Sequence, residues 1–368
     1  MSAGAEKRVA GRGRGACGTE PAGVATPAGG ERRSGRVDPA SAGNGRAARS
    51  AVGEGRLRAA IRSGRFAVTA EIGPPRGADA DAIRRKAAVL HGHVDAANIT
   101  DNQGAHARLS SWAGSVLAME CGVEPVMQLT TRDRNRIALQ SDLMSAAALG
   151  VPNVLLLSGD HPTFGDHPDA TPVFDIDSVQ LVWTARMMRD HGRLLSGQAL
   201  RPPPQWLIGA VENPFAPPVG FRAKRLGKKV AAGAEFAQTQ YVFDLDGFAR
   251  WMVEVRDLGL DEHCAILPGV GPIRSVRALE YLGSKVPGIH VPDDVVRRMR
   301  AVPGDRVAEE GMRLCVELVQ ALAEMRGVAG VHVMAFGNEA AVPELVDRAG
   351  LPRRADAPVA AVVKEERA

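Results

Sequence analysis

Eight short apolar runs recur along this 368-residue chain, and most of them end in a polar residue. They are FAVTAE (66–71), VDAANIT (94–100), EPVMQLT (124–130), NVLLLSGD (153–160), QWLIGAVEN (205–213), FAQTQ (236–240), HCAILPG (263–269) and GVHVMAFG (330–337). Runs of this length read as buried strands. Stretches with apolar residues at helical spacing lie between them, at 79–90, 109–119, 134–148, 176–189, 224–232, 245–258, 273–282, 293–301 and 305–325, with a short helix at 57–61 before the first run and another at 338–349 after the last. Regular alternation of strand and helix implies parallel strands. Eight such units predict an α/β fold, a (β/α)8 TIM barrel, with its site at the C-terminal ends of the strands. The polar residues expected there are Glu71, Thr100, Asp101, Gln128, Thr130, Asp160, Asn213 and Gln240.

Residues 1–55 break this rhythm. They are rich in Gly, Ala, Arg and Ser with almost no large apolar side chains, so they cannot bury enough surface to offset the entropy of ordering. The expected organisation is a disordered extension (1–55), one barrel domain (56–355) and a flexible tail (356–368). The extension holds nine basic and five acidic residues, which accounts for the whole net charge of +4 and leaves the remainder near neutral. With no basic stripe interleaved with aromatics, a nucleic-acid partner is not expected. The four cysteines are far apart and form no CxxC pair. Cys121, Cys264 and Cys315 read as buried free thiols of a reducing compartment. No apolar run approaches a membrane span, and the N-terminus lacks a signal-peptide core. The expectation is a cytoplasmic protein with no membrane partner.

Two connections are long. Residues 161–175 follow the fourth strand on the catalytic face, and residues 191–204 enter the fifth strand from the opposite face. The first is expected to belong to the site. Its His161, Asp166 and His167 sit on one loop, whereas metal sites on barrels usually draw ligands from several strands, so no metal is expected.

Individual residues point to chemistry. Glu71 ends strand one and is followed by Ile-Gly-Pro-Pro. The double proline offers no amide donors, and a carboxyl in so apolar a place should hold its proton toward neutral pH, as a general acid requires; the alternative is a capping or ion-paired glutamate. Asp160 suits a nitrogen heterocycle with two adjacent N–H donors, or a turn, and Gly159 before it lets a ligand approach the backbone. Arg132, Arg134 and Arg136 open the helix after strand three, where a phosphate or simply solvent could face them. The amide of Gln240 both donates and accepts, which suits a pterin or pyrimidinone edge or a structural role. No GxGxxG or Walker motif follows a strand.

Taken together, these residues resemble the methylenetetrahydrofolate reductase family. The matching motifs are TAEIGPP (69–75), NITDNQ (98–103), QLTTRDRNR (128–136), LLLSGDHP (155–162), KKVAAGAEFAQTQYVFD (228–244), LPGVGPI (267–273) and GVHVMAFG (330–337). The DNQ and TTRDRNRIALQSD stretches look most like the single-barrel subgroup found in acetogens and other anaerobic one-carbon pathways. The resemblance implies an FAD-dependent oxidoreductase of one-carbon and methionine metabolism that reduces 5,10-methylenetetrahydrofolate to 5-methyltetrahydrofolate. It implies Glu71 as general acid, Asp160 beside the pterin and the flavin, and Gln240 as a folate ligand. Thr100, Gln128, Ser158, Gly159, Asn213 and Lys229 fall at flavin-neighbourhood positions. Gln128, Ser158 and Asn213 stand where the family often carries His, Arg and Tyr. The partners implied are the folate, NAD(P)H or an electron-transfer subunit, and a second copy of the chain in a homo-oligomer. A folate-binding barrel fed by a partner subunit, or a flavin-free reductase, is the alternative.

Overall fold

Parallel strands on a closed sheet need a crossover after each one, and the chain supplies a helix every time. In the computed structural model, which describes residues 55–286 and 288–354, the strands are β1 (Ala67–Ile72), β2 (Ala96–Ile99), β3 (Pro125–Thr130), β4 (Asn153–Leu157), β5 (Leu207–Glu212), β6 (Phe236–Tyr241), β7 (Ala265–Val270) and β8 (Gly330–Val333). They pair in sequence order, all parallel, and β8 closes on β1. The expected (β/α)8 barrel is therefore the fold. The expectations for residues 1–54 and 355–368 lie outside the described residues.

The helices among the described residues are α1 (Arg56–Arg62), α2 (Ala80–Leu90), α3 (Ser111–Glu120), α4 (Arg136–Ala148), α5 (Ser178–His191), α6 (Arg222–Ala232), α7 (Leu245–Asp257), α8 (Val276–Lys285), α9 (Asp293–Arg300), α10 (Val307–Glu324) and α11 (Ala341–Arg348). Six of them start on a side chain that accepts from their own first turn. Asp79, Ser110, Asn135, Asp177, Asp244 and Ser275 cap α2, α3, α4, α5, α7 and α8, which satisfies amides that the helix itself leaves unpaired. The start of α1 has no such cap. Glu124, buried just before β3, takes its place by accepting from the amides of Arg56 and Leu57 and from Asn153 Nδ2.

Alternation along each strand sorts the side chains into inner and outer sets. The inner set at the N-terminal end is apolar: Ala67, Ala96, Val126, Leu155, Leu207, Phe236 and Ala265 pack with Leu57 and Ala60, so α1 plugs this end. One step up, the interior turns polar. Gln238 donates to Asn98 Oδ1 at 3.0 Å and to Thr69 Oγ1 at 3.1 Å, Asn98 donates back to Gln238, and Thr69 Oγ1 lies 3.0 Å from His332 Nδ1. Burial holds the His332 imidazole down at about 3, so it is neutral at physiological pH. The outer faces bury against the helices in clusters that include Ile72, Ile83, Ile99, Trp251, Ile266 and Val331.

Filling such an interior requires small residues opposite large ones. Gly209 pairs with Phe236 across β5 and β6, and a Cβ at Gly209 would come within 2.2 Å of the Phe236 ring. Gly209→Ala is therefore expected to lower the unfolding free energy by about 2 kcal/mol through overpacking, read from the urea denaturation midpoint at unchanged m value.

Candidate functional site

Two residues beyond the polar layer, the same inward-facing sets reach the C-terminal mouth, and there stand Glu71, Thr100, Thr130 and Gln240. Glu71 is half-buried on β1. Burial pushes its carboxyl up to about 7; the hydrogen bond with Gln103 opposes the rise, the Glu339 carboxylate adds to it, and the Lys86 ammonium again opposes it. Lys86 is itself engaged, pairing with Glu339 at 2.8 Å and donating to the Gly73 carbonyl at 3.0 Å. The side chain at the end of strand one is therefore a carboxyl that exchanges its proton near neutral pH, while the lysine beside it is bound to another acid.

Gln240 is half-buried at the end of β6, where the pairing with β7 shifts register. Its Oε1 accepts from the Tyr241 amide at 3.0 Å, which fixes the side chain by its acceptor end. The amide nitrogen has no hydrogen-bond partner among the described residues and is left to donate. Tyr241 in turn donates to the Met334 carbonyl and stacks on Phe336, ring centroids 5.6 Å apart. Phe336, half exposed beyond β8, has a left-handed backbone with φ +44°.

The ends of β2, β3 and β4 are joined by Arg132, which is 2% exposed. It pairs with Asp133 through Nε at 2.7 Å and donates to two main-chain carbonyls, Asp160 O at 3.0 Å and Asn102 O at 3.2 Å. Gly159, with φ +85°, runs against it, and a Cβ there would come within 3.2 Å of Nη1. The carboxylate of Asp160 is left exposed to solvent at the rim, while its backbone is fixed. The 161–175 connection lies on this group: Val173 and Phe174 donate to the carbonyls of Arg132 and Thr131, and Asp166 accepts from Ala107. These contacts place the loop on the C-terminal face, next to the ends of β2 and β3.

Three expectations change in the structure. The arginines of 132–136 do not present free cations to a phosphate: Arg132 pairs with Asp133, Arg134 with Asp101 and Asp142, and Arg136 with Asp175, and Asn135 already occupies the first-turn amides of α4. Lys229 is 7% exposed and its ammonium is spent on Glu212 and on the Val211 carbonyl, in the seam between α6 and β5. Glu212 follows the inward Val211, so it faces outward, and Lys229 lies behind the barrel wall rather than with the mouth residues. Cys121 is half-buried, whereas Cys264 and Cys315 are buried as expected, with burial pushing both thiols up to about 12.

A flavin at the ends of β2 to β4 fits the donor set there. The Thr100 hydroxyl is buried and has no hydrogen-bond partner among the described residues. The Gln128 amide is 9% exposed and makes no side-chain hydrogen bond among them. Ser158 and Gly159 are half-buried and present backbone at the rim. Asn213 is half-buried on the other side, where its Oδ1 accepts from Phe215 and its amide packs against Gly288. Among the described residues no cluster of three or more His, Cys, Asp and Glu could hold a metal ion, and no helix is long and apolar enough to cross a membrane.

Gln103, Lys86, Glu339 and the role of Arg132 as a tie between loops do not emerge from the sequence. Glu339 lies two residues past the last strand-like run, and that nearness is the available signal for it.

The family model for methylenetetrahydrofolate reductase matches residues 56–350. A probable methylenetetrahydrofolate reductase (NADPH) of Caenorhabditis elegans is 24% identical over 66% of this chain and 34% of its own length. Methylenetetrahydrofolate reductase 1 of Schizosaccharomyces pombe is 28% identical over 67% of this chain and 39% of its own length. The chain thus spans about a third to two fifths of these relatives. A 5,10-methylenetetrahydrofolate reductase of Pectobacterium carotovorum is 23% identical over 73% of this chain and 85% of its own length. Among solved structures, a Clostridium thermocellum protein described as binding two copies of 5-methyl-5,6,7,8-tetrahydrofolic acid shares the fold at TM-score 0.54 and 12% identity, over 80% of this chain and 97% of that one.

Replacing Arg132 by Met removes the ion pair of Asp133, which keeps the Asn102 amide as a donor, and frees two loop carbonyls. The expected cost is about 2 kcal/mol of unfolding free energy, from the hydrogen bonds lost at the two loop carbonyls, measured by urea denaturation. Arg132→Lys is expected to recover only part of it, since one ammonium cannot reproduce the guanidinium fork.

Proposed function

The chain belongs to the methylenetetrahydrofolate reductase family, and from that premise we propose that it reduces 5,10-methylenetetrahydrofolate to 5-methyltetrahydrofolate with FAD as the hydride carrier. The observation that carries this reading is the place of Glu71 at the end of β1, where the neighbouring Lys86 ammonium is bound to Glu339 and burial raises the carboxyl to about 7. A bound flavin would take a hydride from a reduced donor and pass it to the one-carbon unit.

The residues of the chain do the rest. Glu71 delivers a proton to the N10 side of the folate, which opens the five-membered ring and leaves an iminium carbon able to accept hydride. Asp160, its backbone held by Arg132, accepts from the adjacent N–H groups of the pterin edge. Gln240 donates to the same ligand through the amide nitrogen that Tyr241 leaves free. Thr100, Gln128, Ser158, Gly159 and Asp160 would hold the flavin, while Asn213 lies across the mouth from them with its Oδ1 bonded to Phe215. The loop at 161–175 packs on the residues that follow β2 and β3.

Lys229 favours a second reading. Its ammonium, bound to Glu212 behind the wall, gives a flavin no free cation at that position. A folate-binding barrel that draws electrons through a partner subunit accommodates this. The electron donor, NAD(P)H or a protein, and assembly as a homo-oligomer belong to the same proposal, as does a cytoplasmic place in one-carbon and methionine metabolism.

The test separates the two half-reactions. Purified protein is reconstituted with FAD, reduced anaerobically and mixed with methylenetetrahydrofolate. Glu71→Gln is expected to lower the rate of folate-dependent flavin reoxidation by about 1,000-fold and to leave flavin reduction nearly intact. In the wild type that rate should fall as pH rises through about 7, where Glu71 loses its proton. Equal loss of both half-reactions would make Glu71 structural, and a protein that cannot take up FAD would favour the partner-fed reading.

A further inference from the structure

Two carboxyl groups and one ammonium share the corner of the mouth formed by β1, α2 and the segment after β8. The ammonium of Lys86 is committed: it pairs with Glu339 Oε1 at 2.8 Å and donates to the carbonyl of Gly73, two residues past Glu71, at 3.0 Å. Glu71 makes no ion pair among the described residues; its partner is the neutral amide of Gln103. The Lys86–Glu339 pair is shielded, with the two side chains 28% and 10% exposed, so its geometry is not that of a solvent-screened surface pair. Lysine carries its charge on a flexible stem with no fixed direction. What decides which acid it pairs with is therefore which carboxylate holds it.

We infer that Glu339 is a positioning residue for the proton on Glu71: by retaining Lys86 it keeps that ammonium from pairing with Glu71, and so preserves Glu71 as a neutral acid. The inference rests on the proposed role of Glu71. The charged and titratable groups facing that side chain are Lys86 from α2, Glu339 from the segment after β8 and the Tyr241 phenol from β6, which is bonded to the Met334 carbonyl. Arg108, from the segment after β2, donates to the Pro74 carbonyl. The sign of the effect follows. Glu339→Gln removes a negative neighbour and releases a positive one, and both changes favour ionised Glu71. Lys86→Met removes the positive neighbour and leaves Glu339 uncompensated, which favours neutral Glu71.

The experiment is a pH titration of the full chain by infrared spectroscopy of the protonated-carboxyl stretch, with Glu71→Gln used to assign the band. It needs neither flavin nor turnover, so its result stands apart from that of the half-reaction assay. In the wild type the Glu71 band should disappear around pH 7. In Glu339→Gln it should disappear about one pH unit lower, in Lys86→Met higher, and in the double variant close to the wild-type position. A band that does not move in Glu339→Gln, or a shift that persists undiminished in the double variant, overturns the inference. If Glu339→Gln folds poorly, Lys86→Met serves as an independent test, since a band unmoved in that variant also overturns it.

Discussion

Closure of the strands into one parallel barrel imposes the constraint on which the site depends. Every second side chain must point inward, and here the middle layer of that interior is a hydrogen-bonded belt of Thr69, Asn98, Gln238 and His332. These buried groups satisfy one another, and removing one would leave another unpaired in a place water does not reach. Three belt members also sit two residues before a mouth position: Thr69 before Glu71, Asn98 before Thr100 and Gln238 before Gln240. The belt thereby fixes the register in which the three side chains at the mouth are aimed. A slip by one residue would turn all of them outward toward the helices.

Carboxylates around the mouth divide by what they are bonded to. Asp101 is buried against the amide and hydroxyl of Thr130 and against Arg134, and Asp133 is held by Arg132. These acids are structural, because their charge is already matched. Glu71 has an amide for a partner and no paired cation among the described residues, and the carboxylate of Asp160 is exposed at the rim while its carbonyl is tied down. The groups available for chemistry are those the fold leaves unmatched. The same division applies to the cations, since Arg132, Arg134 and Lys229 serve the scaffold.

The fold is legible in the chain because a barrel repeats one local pattern eight times, and period-two and period-3.6 signals need no long-range knowledge. Glu71 is legible for a similar reason: an acid at the end of an apolar run followed by two prolines has few local donors. The surroundings of Glu71 are not. Lys86 reads as one more charge on the polar side of a helix, and Glu339 lies 253 residues further along the chain. Only closure of β8 on β1 brings the two together. The arginines after strand three mislead because sequence shows a basic cluster but not which acids meet it: Asp142 comes from the helix that they open, and Asp101 and Asp175 arrive from two other segments. Lys229 is the same case, its partner Glu212 being a strand residue whose parity turns it away from the mouth.

In the proposed reaction Glu71, Asp160 and Gln240 face a single folate at the mouth of the barrel, and a crystal structure of the full chain with 5-methyltetrahydrofolate can show whether they do. The pterin edge should lie within hydrogen-bonding distance of Asp160 and Gln240, with the N10 side of the ligand next to the Glu71 carboxyl. A folate bound away from these three side chains, or at the mouth with Glu71 turned into an ion pair with Lys86, would contradict that arrangement.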